Sequence, residues 1–147
     1  MQIDRTRVHF LGTIARDDYV RLLRVSDVHV YLTVPFVLSW SLLEAMAAGL
    51  PVIAPAMDGL AETVRHGTTG FLCAGTDEML ARAAGFVSGV HDPRVMGLKA
   101  RARACTFDER RTALKFKLLY DEVICGARYS WPWPDALARS ARASASR

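Results

Sequence analysis

One segment of this 147-residue chain carries the groups best suited to bind a charged ligand. Residues 33–52 have the pattern of a strand end, a tight loop and a helix that begins between Ser39 and Ser41. The free amides at a helix start, together with the helix dipole, attract anions and suit a diphosphate. Glu44 lies one turn inside this helix, where its carboxylate could accept hydrogen bonds from the hydroxyls of a neighbouring ribose.

The same spacing also fits a structural role for Glu44. Ser41-Leu-Leu-Glu44 satisfies the capping-box pattern, in which the glutamate side chain bonds the start of its own helix. The residue types alone do not decide between a ligand contact and a cap.

The elements that must position this segment are short and alternate along the chain. Apolar runs predict strands at 7–11, 28–33, 51–54 and 69–73. Helices are predicted at 15–26, 39–48 and 60–66. A fourth helix is predicted to begin at a cap formed by Thr76, with an apolar face made of Leu80, Ala83, Ala84 and Val87. A fifth is predicted to begin at a capping box at Thr106 and to extend to about Cys125. The alternation predicts an α/β fold with a parallel sheet and helices on both faces. Ligands bind such sheets outside the carboxyl ends of the strands, where the loop after residue 33 lies.

The composition argues against several classes of protein. Hydrophobic residues make up 51% of the chain and charged residues 23%, which favours a folded core over disorder. Most of the net charge of +4 lies in residues 126–147, so the folded body gives no electrostatic case for nucleic-acid binding. No uncharged apolar run reaches the roughly 18–20 residues of a membrane span. The three cysteines, expected to be buried, fit a reducing cytoplasm and are Cys73, Cys105 and Cys125.

Two ordered blocks resemble a known enzyme family. Leu43-Glu-Ala-Met-Ala-Ala-Gly-Leu-Pro-Val-Ile53 and Glu62-Thr-Val-Arg-His-Gly-Thr-Thr-Gly-Phe-Leu72 are similar to the donor-binding half of glycosyltransferase family 4. Segments 7–12 and 26–33 match the strands that precede this motif, so the resemblance covers roughly residues 3–125. It implies the GT-B architecture of two Rossmann-like domains facing a cleft. The chain is then expected to hold a partial donor-binding domain at 1–125 and a disordered or docking tail at 126–147, without the first βα unit and the N-terminal acceptor domain.

The resemblance also implies roles for particular residues. Glu44 matches the second glutamate of a Glu-x7-Glu motif, which binds the ribose of a nucleotide sugar. The first glutamate, which contacts the transferred sugar, is replaced by Phe36, and the glycine-rich loop by 37–41, as in a recurring variant of the family. The diphosphate is then expected to bind at the start of the helix, which includes Ser41. The groups that would bind it are the backbone amides of Leu38, Ser39 and Trp40. Gly12 matches a glycine near the donor pocket, although a plain tight turn explains it equally well.

The function that the resemblance implies is transfer of a sugar from a nucleotide-sugar donor to an acceptor with retention. Diphosphate binding is expected to be electrostatic, with no metal ion or other cofactor, and no catalytic residue is assigned. Two alternatives are a non-catalytic nucleotide-binding module and an inactive fragment. A nucleotide-sugar epimerase would need a catalytic acid pair that is not evident.

Four other side chains have candidate roles. His9 and His29 are expected inside strands, packed or at an edge, and His66 at a helix end. Glu62 either caps the short helix at 60–66 or meets the ligand.

Overall fold

The computed structural model describes residues 4, 6–32, 39–57 and 59–124 and divides the chain into two units after Cys105. The helices of the first unit are α1 (Arg16–Val25), α2 (Trp40–Ala48), α3 (Thr76–Val87) and α4 (Pro93–Ala104). Its strands are β1 (His29–Val30), β2 (Val52–Pro55) and β3 (Gly70–Cys73). A 3₁₀ turn at Cys105–Phe107 spans the division, and α5 (Glu109–Ile124) belongs to the second unit. The predicted domain boundary at residue 125 remains a prediction.

The three strands form a parallel sheet in the order β1-β2-β3. Val52 of the central strand pairs with His29 on one side and with Gly70 on the other. Residues Val52, Ile53 and Ala54 are all completely buried. A short, continuous apolar run of this kind is typical of a parallel strand that is covered on both faces.

The two faces of β2 contact different helices. Val52 and Ala54 belong to a core cluster with Leu42 and Met46 of α2. On the opposite face, Ile53 packs in a second cluster, which contains Phe71, Cys73, and Met79 and Phe86 of α3. Because successive strand residues point to opposite faces, α2 and α3 lie on opposite sides of the sheet. The α/β fold with helices on both faces is therefore confirmed.

Helices α1 and α4 both pack against α2. Leu23 of α1 forms a third cluster with Ala45 of α2 and with Leu50. In α4, a β-carbon on Gly97 would collide with the backbone carbonyl of Gly49, which ends α2. The two backbones therefore meet without an intervening side chain.

Helix α4 was not predicted from the sequence. Its start signal is the pair Asp92-Pro93, since Asp92 accepts from the amides of Arg94 and Val95 and Pro93 occupies the first helical turn.

The predicted strand at 7–11 does not form. Phe10 is 81% exposed, and the amides of Arg7 and Val8 both donate to the carbonyl of Asp4. β1 pairs only with β2 among the residues that the structure describes, so this segment has no neighbouring strand there. An apolar run becomes a strand only where another strand supplies hydrogen bonds.

The predicted helix at 60–66 is a turn. The carbonyl of Leu60 accepts from the amides of Thr63 and Val64, but the ladder goes no further. Thr69 Oγ1 then accepts from the amide of Arg65, and His66 forms a bridge to Gly70. The chain is thus drawn into the edge of the sheet after one turn, and neither His66 nor Glu62 lies at a helix end.

Helix α3 differs from its prediction in its cap and in its buried face. Thr76 is its first residue rather than its cap, and Glu78 reaches back to accept from the amide of Ala74 at 2.9 Å. That hydrogen bond, followed by the one from Arg82, lowers the pKa of Glu78.

The buried face of α3 carries Met79 and Phe86, whereas the predicted apolar positions Leu80 and Val87 are exposed. The sequence of α3 therefore contains two overlapping apolar faces, one with Met79 and Phe86 and the other with Leu80 and Val87. The Phe86 ring lies 5.8 Å from Phe71, and this packing decides between them.

The second unit contains one described helix. Asp108 caps α5 by accepting from the amides of Arg110 and Arg111, two residues after the predicted cap at Thr106. The helix extends at least to Ile124, the last described residue, and its predicted end near Cys125 stays a prediction. The tail at 126–147 lies outside the described residues.

The cysteines and histidines differ in how deeply they are buried. Cys73 is buried as expected, Cys105 is exposed against expectation, and Cys125 lies outside the described residues. His29 is half-buried in β1, whereas His9 is exposed and belongs to no strand. In the described part of the chain, no helix is long and apolar enough to cross a membrane.

Candidate functional site

The site lies at the start of α2, beyond the carboxyl end of β1. Ser39 caps the helix because its Oγ accepts from the amide of Ser41 at 3.2 Å. The hydroxyls of Ser39 and Ser41 lie 2.9 Å apart, and the carbonyl of Ser39 accepts from the amide of Leu42. The predicted start of the helix between Ser39 and Ser41 is thus confirmed.

Tyr31 anchors the site to the sheet. Its hydroxyl accepts a hydrogen bond from the amide of Ser39 at 3.2 Å, and its own amide donates to the carbonyl of Ile53 at 2.8 Å. The Tyr31 side chain is only 5% exposed. Sequence reasoning missed this contact, although a tyrosine in a buried strand signals that its hydroxyl needs a nearby partner.

Two of the helix-start amides are already engaged. Ser39 donates to Tyr31, and Ser41 donates to the Ser39 hydroxyl. The amide of Trp40 donates to no other described residue, and the Trp40 side chain is 80% exposed. Leu38 and Phe36 lie outside the described residues. The Trp40 amide is therefore the best placed, among the described residues, of those predicted to bind a diphosphate.

Glu44 is not a helix cap. With Ser39 as the cap, Glu44 is the fifth residue of α2 and lies beyond the first turn, so the capping-box interpretation is wrong. Its Oε1 instead accepts a hydrogen bond from Arg16 Nη1 of α1 at 2.6 Å. The Glu44 side chain is 27% exposed, which leaves its carboxylate within reach of a ligand.

Tyr19 completes the surroundings of Glu44. The Arg16 guanidinium lies over the Tyr19 ring, 5.8 Å from its centre. Burial, followed by the charge of the Glu44 carboxylate and hydrogen bonding to it, raises the pKa of Tyr19. The hydrogen bond to Glu44 likewise raises the pKa of Arg16. The site therefore joins a paired carboxylate to a phenol and a helix start.

The remaining candidates lie apart from this group. Gly12 is exposed and has a φ of +62°, which suits a tight turn before α1, and its contact with a ligand stays a prediction. Glu62 is exposed, and its backbone carbonyl accepts from Arg103. No three His, Cys, Asp or Glu side chains in the described ranges are grouped to hold a metal ion, and metal independence stays a prediction.

Comparison with known proteins shows the family to which the chain belongs. Residues 2–87, which include Ser39 to Glu44, match the family model described as glycosyl transferases group 1. The chain is 31% identical to N-acetyl-alpha-D-glucosaminyl L-malate synthase of Bacillus anthracis over 130 residues, or 80% of this chain and 31% of that protein. It is 34% identical to D-inositol 3-phosphate glycosyltransferase of Mycolicibacterium vanbaalenii over 124 residues, or 83% of this chain and 27% of that protein.

A solved structure agrees with these relatives. Sucrose-phosphate synthase from Thermosynechococcus elongatus superposes with a TM-score of 0.67 at 31% identity, over 84% of this chain and 32% of that one. The chain thus spans about a third or less of the proteins that it matches. It belongs to the glycosyl transferases group 1, and its Rossmann-like fold is similar to that of the GT-B glycosyltransferases.

Proposed function

We propose that this chain is the donor-binding part of a retaining glycosyltransferase and holds a nucleotide sugar at the start of α2. The observation that carries the proposal is the partial exposure of the Glu44 side chain, one turn inside a helix whose first amide donates to no described residue. An ionised carboxylate only accepts hydrogen bonds, so it suits the two hydroxyl donors of a ribose. A helix start suits the adjoining diphosphate.

We propose that catalysis of the sugar transfer is mainly electrostatic. The bond between the anomeric carbon and the diphosphate oxygen breaks, the diphosphate leaves with the electron pair, and the oxygen of an acceptor hydroxyl bonds the sugar on the same face while its proton passes to the leaving diphosphate. Helix-start amides stabilise the charge that develops on the leaving group, and the mechanism needs no metal ion. We further propose that residues beyond this chain supply the acceptor-binding domain and the cations for the diphosphate, because the chain spans only about a third of its relatives.

We place this activity in the cytoplasm. Cys73 and Cys105 are both free thiols, which is usual in a reducing compartment.

A second candidate is a module that binds the nucleotide without transferring the sugar. The replacement of the motif's first glutamate by Phe36 favours it, because no other acid has been assigned to the transferred sugar. The two functions share the Glu44 site and differ only in turnover. Binding without transfer in the full-length protein would favour the module.

Calorimetric titration of the 147-residue chain with UDP, GDP and ADP tests the shared site. We expect one of the three to bind, and the Glu44→Gln variant to bind it about tenfold or more weakly, as for the loss of a charged hydrogen bond. The control is Asp18→Asn, which removes an exposed carboxylate paired with Arg21 at 3.2 Å on α1. Equal affinities in Glu44→Gln and the wild type would overturn the role of Glu44, and no binding of any nucleotide would overturn the proposal.

A further inference from the structure

The Arg16–Glu44 ion pair differs from the others in the described part of the chain. The pairs Asp18–Arg21, Glu78–Arg82 and Lys117–Asp121 each join residues three or four positions apart on one helix. Arg16 and Glu44 are separated by 28 residues and join α1 to α2. Such a contact exists only because the fold brings the two helices together.

Packing fixes the distance between the two partners. Leu23 of α1 lies in one cluster with Ala45 of α2, and Tyr19 packs against the same cluster. The Tyr19 ring in turn lies beneath the Arg16 guanidinium. Arg16 therefore approaches Glu44 from a helix whose position is set by buried contacts.

The hydrogen bond from Arg16 occupies one of the two oxygens of the Glu44 carboxylate. Arg16 bonds Oε1, and a carboxylate has about four acceptor positions on its two oxygens. Arg16 is 68% exposed, whereas Glu44 is 27% exposed, so the cation lies on the outer side of the pair. A glutamate has three rotatable side-chain bonds, and a partner that restrains them lowers the entropy lost when a ligand binds.

We propose that Arg16 is a positioning residue, which holds the Glu44 carboxylate in one orientation so that Oε2 can accept hydrogen bonds from a ribose. This inference rests on the proposed function of Glu44 as the ribose-binding residue. Arg16 acts through Glu44 and makes no contact with the ligand itself. A nucleotide that lacks both ribose hydroxyls should therefore gain little from Arg16.

The test uses the nucleoside diphosphate that binds best among UDP, GDP and ADP, together with its 2′,3′-dideoxy analogue (the deoxynucleotide), which lacks both ribose hydroxyls. The full chain is compared as wild type, Arg16→Gln, Arg16→Lys and Arg21→Gln. We expect Arg16→Gln to weaken binding of the ribonucleotide about threefold, within the range of an exposed ion pair, and to leave the deoxynucleotide unchanged. Arg16→Lys should recover part of the loss, and Arg21→Gln should match the wild type.

Four outcomes contradict the proposal. Equal weakening of both nucleotides by Arg16→Gln, or loss that tracks a lower melting temperature, would assign Arg16 a purely structural role. Tighter binding of the ribonucleotide would mean that Arg16 competes with the ligand for Glu44. Unchanged affinities would mean that the pair has no part in binding.

The Glu44→Gln variant separates this inference from the proposed function. If the wild type discriminates between the two nucleotides, and Glu44→Gln abolishes that discrimination while Arg16→Gln preserves it, only the role of Arg16 fails. If the wild type binds both equally, or binds neither, the role of Glu44 fails as well.

Discussion

The two ends of α2 lie in opposite environments. At the carboxyl end, Gly49 has a φ of +92°, its amide closes the helix on Ala45 and Met46, and its carbonyl lies against Gly97 of α4. Toward the amino end, Trp40 is largely exposed and the Glu44 side chain is partly exposed. One end of the helix is fixed by backbone packing, and the other presents polar groups to solvent.

The middle of α2 connects these two environments. Leu42, Ala45 and Met46 are completely buried, so the helix cannot rotate or slide without loss of core contacts. A helix held in this way presents the Ser39 amide end and the Glu44 carboxylate at a fixed spacing. The difference between the ends shows how a buried element can position an exposed site.

Gly97→Ala should break the packed end and have the largest effect on stability. The new β-carbon would overlap the Gly49 carbonyl, which belongs to the backbone and cannot turn away. We expect a loss of about 3 kcal/mol, the upper part of the range for overpacking. Urea unfolding measures it.

The control for that substitution is Gly75→Ala, where a β-carbon meets open space. Gly75→Ala should lower the free energy of unfolding by well under half as much as Gly97→Ala. Equal stability of Gly97→Ala and the wild type would mean that α4 does not lie against the end of α2.

Ser39→Ala should loosen the open end by a smaller amount. The variant removes the oxygen that accepts from the Ser41 amide, and loss of such a cap costs about 1 kcal/mol. Ser41→Ala is the matched control, because it removes a neighbouring hydroxyl and leaves the cap acceptor in place. Urea unfolding should show a clear loss for the first variant and a few tenths of a kcal/mol for the second; the reverse order would make Ser41 the cap.

The limits of α2 could be predicted from the sequence, but the contacts at its amino end could not. Ser39, Gly49 and Pro51 mark the limits of α2 through local chemistry, and the structure has those limits. The contacts of Glu44 with Arg16 and of Ser39 with Tyr31 join residues that no local spacing relates. The capping-box pattern therefore suggested a cap where the fold supplies an ion pair.

The errors in the fold have related causes. The segment 7–11 has the apolar content of a strand, but strand formation depends on a neighbour that the pattern cannot supply. In α3, two stripes share one helical period, and only the position of Phe71 selects Phe86 over Val87. Local signals predicted the position of α3 correctly and a strand at 7–11 wrongly, and in both cases long-range packing determined the outcome.

The most direct test of the central claim is nuclear magnetic resonance of the ¹⁵N-labelled chain during titration with the nucleoside diphosphate that binds best. We predict that the amide signals of Ser39, Trp40 and Glu44 shift with increasing ligand, while those of Gly49 and Gly97 at the packed end stay in place. Glu44→Gln should reduce the shifts at a given nucleotide concentration. Shifts that leave Ser39 to Glu44 unaffected and appear elsewhere in the chain would contradict a nucleotide site at the start of α2.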